Sequence, residues 1–424
     1  MAHQTLKTGY DDLVTRLNKA PQGAPPSELL NRILSMLMNE KEAGLLSLLP
    51  IRPFTAEKAA DAWKKPLSES IRILEGLAGR ALLVDVERNG QSIYALPPPM
   101  AGFFEFSLMR TRGDFDQKVL SELFHEYLNV EEDFVRELFT RGETQMGRVF
   151  IQEPMLSTDQ AATVLDFERA TEVIRTSSHL GVGMCYCRHK MEHLGQACDA
   201  PMHICMTFNG SAESLIKHGH ARPVDQAECL DLLDQAYEEG LVQFGENVQD
   251  RVSFICNCCS CCCEAMIASR RFAHLAPVHT SNYEPEIDHE TCNGCGKCVT
   301  ACPVEAMSLV SANDPAKPKR QTARLDAEVC LGCGVCMREC TNESLTMTAR
   351  AARVITPVTN AQRYVRMAIE RGKLQNLIFD NQVMGSHRAL AALLGAVMKL
   401  PPVKRAMANE QMKSRFVEAI CRGA

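Results

Sequence analysis

The sequence predicts an α+β chain of several domains: a helical N-terminal part holding one small helix-and-hairpin domain, a cysteine-rich middle, a compact duplicated module and a helical tail. Three observations predict it. Apolar residues recur at helical spacing through the first 140 residues and again after residue 350, two short alternating runs flank Asn89-Gly90, and all 20 cysteines fall from Cys185 onward. The 424 residues, 46% of them apolar and 23% charged with a net charge of −6, suffice for two to four domains with real cores and exclude a disordered chain.

Residues 1–145 are the helical N-terminal part. Within it, Ser27 caps an amphipathic helix through Met38, Thr55 caps a helix from Ala56 to Lys65 after Pro53, and Ser68-Glu69 opens a third that ends near Gly79. Strands at Leu82–Val86 and Ser92–Leu96 enclose Asn89-Gly90, a strong hairpin signal. Three helices and a hairpin over residues 27–96 resemble a winged-helix domain, a fold that serves both DNA reading and protein contacts. The third helix, LSESIRILEGLAGR, sets Glu69 and Glu75 against Arg72 and Arg80, and phosphate repulsion argues against nucleic acid. A protein contact or homo-oligomer is the expected use. Further helices follow at Phe115–Leu128 and Glu131–Thr140.

The middle, residues 146–282, opens its cysteines with MCYCRHKMEHLGQACDAPMHIC, giving Cys185, Cys187, Cys198 and Cys205. About fifty residues on, CNCCSCCC supplies Cys256, Cys258, Cys259, Cys261, Cys262 and Cys263. Two helices, Ala212–Gly219 and Val224–Glu239, and a strand at Gly240–Phe244 lie between and would bring the groups together. Adjacent thiols such as Cys258 and Cys259 do not easily share one tetrahedral ion, so one closed zinc site uses the material poorly and a polynuclear or paired cluster uses it better. A further iron–sulfur cluster, structural zinc and a thiol relay stay open. Arg188, His189, His193 and His203 stand near enough in sequence to hydrogen-bond sulfide or add a ligand, although each alone is a common polar residue. Cys229, on a helix between Ala227 and Leu230, reads as a packing residue.

The module at 283–350 carries the sharpest signal. CNGCGKCVTACP places Cys292, Cys295, Cys298 and Cys302, and CLGCGVCMREC places Cys330, Cys333, Cys336 and Cys340, the same spacing offset by 38 residues. Ile287-Asp288 and Leu325-Asp326 repeat in front of them, so the module is an internal duplication. A C-x-x-C-x-x-C loop gives three thiolates to one iron–sulfur cube while the fourth cysteine serves the other. One cube is then expected on Cys292, Cys295, Cys298 and Cys340, the second on Cys330, Cys333, Cys336 and Cys302. Gly294, Gly296, Gly332 and Gly334 clear side-chain bulk where amides turn toward sulfur. Two zinc sites would need only four ligands each and would not demand the duplicated pattern.

These residues resemble the bacterial-type ferredoxin family with two [4Fe-4S] clusters over about 283–350, which implies a βαβ-like repeat. Thr341 stands where the family's second proline would be, and 27 residues separate Cys302 from Cys330. Cys-x-Cys-Arg-His-Lys and CNCCSCCC upstream of such a module are also similar to large iron–sulfur proteins of anaerobic bacteria, over about 148–350. That likeness implies an oxygen-poor cell and names no substrate.

The tail, residues 351–424, reverses the charge. From Arg350 onward 13 Lys and Arg face Glu370, Asp380, Glu410 and Glu418, a net of +9, leaving −15 on the 349 residues before. Helices are expected at Asn360–Arg371, Ser386–Lys399 and Asn409–Cys421. Leu390, Leu393, Leu394, Val397 and Met398 form a stripe expected to be buried, and the basic face suits either solvent or an acidic partner. Met1–Tyr10 has no apolar core of a secretory leader and no apolar run reaches the ~18 residues of a membrane span, so a cytoplasmic protein is expected.

The expected function is one-electron transfer by an iron–sulfur protein with two [4Fe-4S] cubes and a further middle cluster, fed by redox partner proteins. Gly181-Val182-Gly183 lacks the third glycine of a dinucleotide site, no GxxxxGK[ST] occurs, and no Cys-x-x-Cys-His supports covalent haem. The alternatives are a catalytic reductase (an oxidoreductase subunit) using the middle cluster, and a redox-sensing winged-helix regulator. Catalytic residues are not assigned.

Overall fold

The computed structural model describes residues 8–157, 161, 164–380, 385–398, 400–408, 415, 417, 418 and 421. They divide into two compact units, one of residues 1–144, 213–221 and 359–424, the other of 145–212 and 222–358. Among the described residues no helix is long and apolar enough to cross a membrane.

In the first unit, helices Glu28–Leu37, Glu40–Leu48, Ala56–Trp63 and Leu67–Gly79 precede the hairpin. Glu28–Leu37 buries Leu30, Ile33, Leu34 and Leu37, one face at helical spacing, and Ser27 accepts from the Leu30 amide. The helix at Glu40–Leu48 is an addition to the sequence reading. Asn39 and Glu42 form a reciprocal capping box there, the signal that marks its start. A short strand β1 (Phe54–Thr55) pairs with the hairpin of β2 (Val84–Arg88) and β3 (Gln91–Ala95), in the order β1-β3-β2. Asn89 and Gly90 take φ of 52° and 73°, the left-handed pair a two-residue hairpin turn requires.

β2 is therefore an edge strand, and side chains from the helix Asn209–Lys217 cover it. The Asp85 amide donates to Ser214 Oγ at 3.1 Å and the Glu87 amide to the Glu213 carboxylate at 2.8 Å. The Asp85 carboxylate in turn accepts from Ser214 and from Lys217 and binds His218 Nε2 at 2.8 Å. These donors hold it below the usual carboxylate range although burial pushes the other way.

The tail packs in this unit through helices Asn360–Glu370, Leu374–Ile378 and Gly385–Met398. Glu370 accepts from the Thr144 amide and hydroxyl at 2.8 and 2.7 Å, and buried Arg371 donates to the Leu138, Arg141 and Pro21 carbonyls. Part of the basic tail is thus consumed internally. The expected burial of the stripe is corrected in part: Leu390, Leu393 and Val397 are exposed, because the helix buries Ala391 instead. The helix expected at Asn409–Cys421 lies largely outside the described residues.

In the second unit, an antiparallel six-stranded sheet runs β4-β8-β9-β6-β5-β7, made of β4 (Gly147–Val149), β5 (Leu180–Gly183), β6 (Cys205–Phe208), β7 (Arg222–Pro223), β8 (Val242–Glu246) and β9 (Phe254–Cys258). Helices Ala170–Thr176 and Gln226–Glu238 pack with it through Ile174, Cys229, Leu233, Met206 and Ile255, and Cys229 is fully buried as a packing residue. Gly181-Val182-Gly183 lies within β5.

The duplicated module follows in the same unit. β10 (Tyr283–Ile287), helix Lys297–Ala301 and β11 (Met307–Ser311) make the first repeat, and β12 (Gln321–Leu325), helix Val335–Arg338 and β13 (Leu345–Ala349) the second. The pairs are β10 with β13 and β11 with β12, both antiparallel and both between repeats. Neither repeat closes as a parallel βαβ crossover; each strand finds its partner in the other copy.

Candidate metal centres

In the module, both loops are built alike. The Cys292 amide donates to the Asp288 carbonyl and the Cys330 amide to that of Asp326, each at 3.0 Å. Gly294, Gly296, Gly332 and Gly334 hold φ of 68°, 78°, 68° and 88°. A Cβ on Gly294 would stand 2.4 Å from the Gln321 oxygen and one on Gly332 2.0 Å from that of Tyr283, so both close approach and left-handed backbone exclude side chains there. Amides then reach sulfur: Ala323 to Cys292 at 3.4 Å, Ala306 to Cys302 at 3.2 Å, Gly332 to Cys330 at 3.3 Å.

Two groups of four result. Cys292, Cys295, Cys298 and Cys340 line one pocket, with Gly294, Gly296 and Leu309. Cys302 instead faces Cys330, Cys333 and Cys336 across the repeat. Cys295 is exposed, whereas Cys330, Cys333 and Cys336 are buried. Burial pushes the Cys333 thiol up to about 12, and burial with the Cys333, Cys330 and Cys302 sulfurs pushes Cys336 well above the ordinary thiol range. Burial acts on Cys292 too, yet the Ala323 amide, the Thr322 side chain and the Gly294 amide hold it below that range. Four thiolates held this close repel one another unless a cation sits among them, so the donor set fits a metal cluster.

The ten middle thiols meet because β6, β5 and β9 are sheet neighbours. Cys185 and Cys187 start the helix Tyr186–His193 beyond β5, Cys205 opens β6, Cys256 and Cys258 lie in β9, and Cys259, Cys261, Cys262 and Cys263 form the turn before helix Glu264–Arg271. They divide into a quartet and a group of six. The sulfurs of Cys198, Cys259, Cys261 and Cys262 all lie within 4.8 Å of one another. The other six form a buried or half-buried network: Cys263 and Cys258 share a hydrogen bond at 3.1 Å, Cys263 is also hydrogen-bonded to Cys187 and Cys256 to Cys258 and Cys205, and Cys185 sits beside Cys256 and Cys263. Cys258 and Cys259 part into different groups, as do Cys262 and Cys263, but the adjacent Cys261 and Cys262 stay together with their sulfurs 3.5 Å apart, which corrects the expectation that neighbouring thiols do not share one ion. Thiol hydrogen bonds hold Cys256 and Cys263 well below the ordinary range, and burial pushes Cys185 up to about 12.

Fully buried Arg188 donates to the Pro201 and Asn257 carbonyls and interacts with Cys185 of the six and with Cys259 and Cys198 of the quartet. Burial alone would lower its pKa; these sulfurs outweigh it and raise it. His189 and His193 pack ring on ring, 4.7 Å apart, and His203 is exposed. Sequence reasoning missed two features. Lys190 and Glu264 form a buried ion pair between the helices Tyr186–His193 and Glu264–Arg271 that carry Cys187 and follow Cys263. Buried Gln152 gives its amide to the Cys333 carbonyl at 3.0 Å and its side chain to Leu241 at 3.0 Å, and the next residue, Val242, is the cross-strand partner of Cys258. Nothing in the sequence around Gln152 marks it; Lys190 and Glu264 read as ordinary helix charges.

Residues 291–344 match a protein-family model described as a 4Fe-4S dicluster domain. No curated protein and no solved structure matches the chain. The match covers the module alone, and with the abundant cysteines around it supports an iron–sulfur electron-transfer role. The remainder of the chain is argued from its own residues.

Proposed function

We propose that the chain is an electron-transfer protein of the bacterial ferredoxin type, in which Cys292, Cys295, Cys298 and Cys340 hold one [4Fe-4S] cube and Cys330, Cys333, Cys336 and Cys302 the other. A further iron–sulfur centre is assigned to Cys185, Cys187, Cys205, Cys256, Cys258 and Cys263. Clusters in these positions supply one-electron exchange. The observation that carries the reading is the pair of cysteine quartets built across the duplicated module, within residues 291–344 that match the dicluster model. Gln152, bonded to the Cys333 and Leu241 carbonyls, lies between the second quartet and Val242, the cross-strand neighbour of Cys258. The exposure of Cys295 suits the first quartet to face a redox partner, while burial of the second shields it from water.

The β1-β3-β2 order supports the winged-helix reading of residues 27–96, and the covered edge of β2 with the charge-balanced third helix favours an interaction role over DNA. The test is iron and acid-labile sulfide per chain on anaerobically purified protein, with EPR on the reduced state. Twelve or more irons are expected; about eight would remove the middle iron centre. Cys295→Ser is expected to lose about four irons and leave one reduced-cube signal. Retention of all iron would overturn the assignment of the quartets.

A further inference from the structure

The split of the middle thiols is also a difference in spacing. In the quartet Cys261 and Cys262 sulfurs stand 3.5 Å apart and those of Cys262 and Cys198 3.9 Å. Four thiolates on one tetrahedral ion at about 2.3 Å from the metal stand about 3.8 Å from each other. In a cube each thiolate takes a separate iron, which spreads them. The module supplies an internal standard: among the described residues neither of its quartets closes within the 4.8 Å that encloses this one.

We propose that Cys198, Cys259, Cys261 and Cys262 form a separate, closed site for one divalent ion of the zinc class. The assignment rests on the reading that the middle thiols bind metal, and it removes these four from the iron centre. Two further observations agree. Three ligands come from the short turn 259–262 and the fourth from the loop between helix Tyr186–His193 and β6, where Gly195, Gln196, Ala197, Asp199 and His203 are exposed and Ala200 and Ile204 pack in a small core cluster. A loop with so little apolar anchorage is what a structural ion fastens. Four thiolates around a divalent ion leave two negative charges, and the buried Arg188 guanidinium lies against Cys198 and Cys259 to offset one.

The experiment is elemental analysis and zinc-edge X-ray absorption on the full chain, purified anaerobically from cells supplied with iron and zinc, beside Cys261→Ser and Cys256→Ser. One zinc per chain in a shell of four sulfurs at about 2.3 Å is expected. Cys261→Ser should lose that zinc and keep the iron, and Cys256→Ser should do the reverse, losing only the iron above about eight. Wild-type protein without zinc, or a Cys261→Ser protein that keeps zinc and loses iron, overturns the site. If Cys261→Ser does not fold, the wild-type absorption spectrum decides alone, since fewer than four sulfurs around zinc overturns it equally. A wild-type count of about eight irons with one zinc sinks the middle iron centre and leaves this site standing, so the two failures are told apart.

Discussion

His220 is a buried imidazole whose Nε2 donates to the Gly79 carbonyl at 3.1 Å, and burial first, then the nearby Arg110 charge, lower its pKa from 6.5 to about 4. Between those values the unfolded chain binds a proton that the folded chain refuses. Stability is therefore complete above about pH 6.5 and falls as the pH drops toward 4, by on the order of 2 kcal/mol at pH 4.5. Trp63, the single tryptophan and buried in the same unit, is the reporter. Denaturant unfolding followed by its fluorescence should show that loss between pH 7 and 4.5 in wild type, and a smaller one in His220→Gln, which keeps a donor for Gly79. Equal losses in the two proteins would mean that other groups carry the acid sensitivity. The sequence offered no hint of this residue, because a histidine's burial is a tertiary fact.

At the scale of elements, the two module loops separate glycines that a motif treats alike. Ala at 332 meets Tyr283 and Ser281 at 2.0 and 2.3 Å on top of its positive φ, whereas Ala at 296 meets only the end of Leu309 at 3.4 Å. Gly332→Ala is expected to cost more than about 2 kcal/mol and to deplete iron, and Gly296→Ala about 1 kcal/mol with iron retained. Iron per chain and the thermal midpoint of each variant check this. Equal iron in both would show that the loop relaxes. The duplication, the hairpin at Asn89-Gly90 and the helix starts at Ser27 and Asn360 were legible because each is a local rule of spacing, turn or cap. The helix Glu40–Leu48 carries the same kind of local start signal, in the reciprocal cap of Asn39 and Glu42. The common grouping of Cys256 and Cys258 follows from the two-residue period of β9. The turn 259–263 has no period, so nothing local says that Cys259, Cys261 and Cys262 turn one way and Cys263 the other.

Across the whole chain, four blocks read from cysteine distribution become two compact units, and residues 213–221 join the N-terminal one because Ser214, Lys217 and His218 close around Asp85. The Glu87 amide on Glu213 and His220 on the Gly79 carbonyl add to that hold, which no composition profile reveals. The units differ in what fills them. The first packs around Leu30, Leu34, Phe104, Phe124 and Tyr127, and its one cysteine, Cys421, is a half-buried neighbour of Val417 and Leu374. In the second, the module's core is itself largely sulfur: Cys298 and Cys336 with Met307 and Leu345, against Cys292, Cys302 and Cys340. Sulfurs that must ionise to bind metal contribute little hydrophobic stabilisation once the metal leaves, so metal free energy there is folding free energy. Anaerobic removal of metal by a chelator at mildly acid pH should therefore abolish the strand signal of the module in circular dichroism while Trp63 keeps its buried emission. An emission shift in step with iron loss would show instead that the N-terminal unit depends on the metal centres for its own stability.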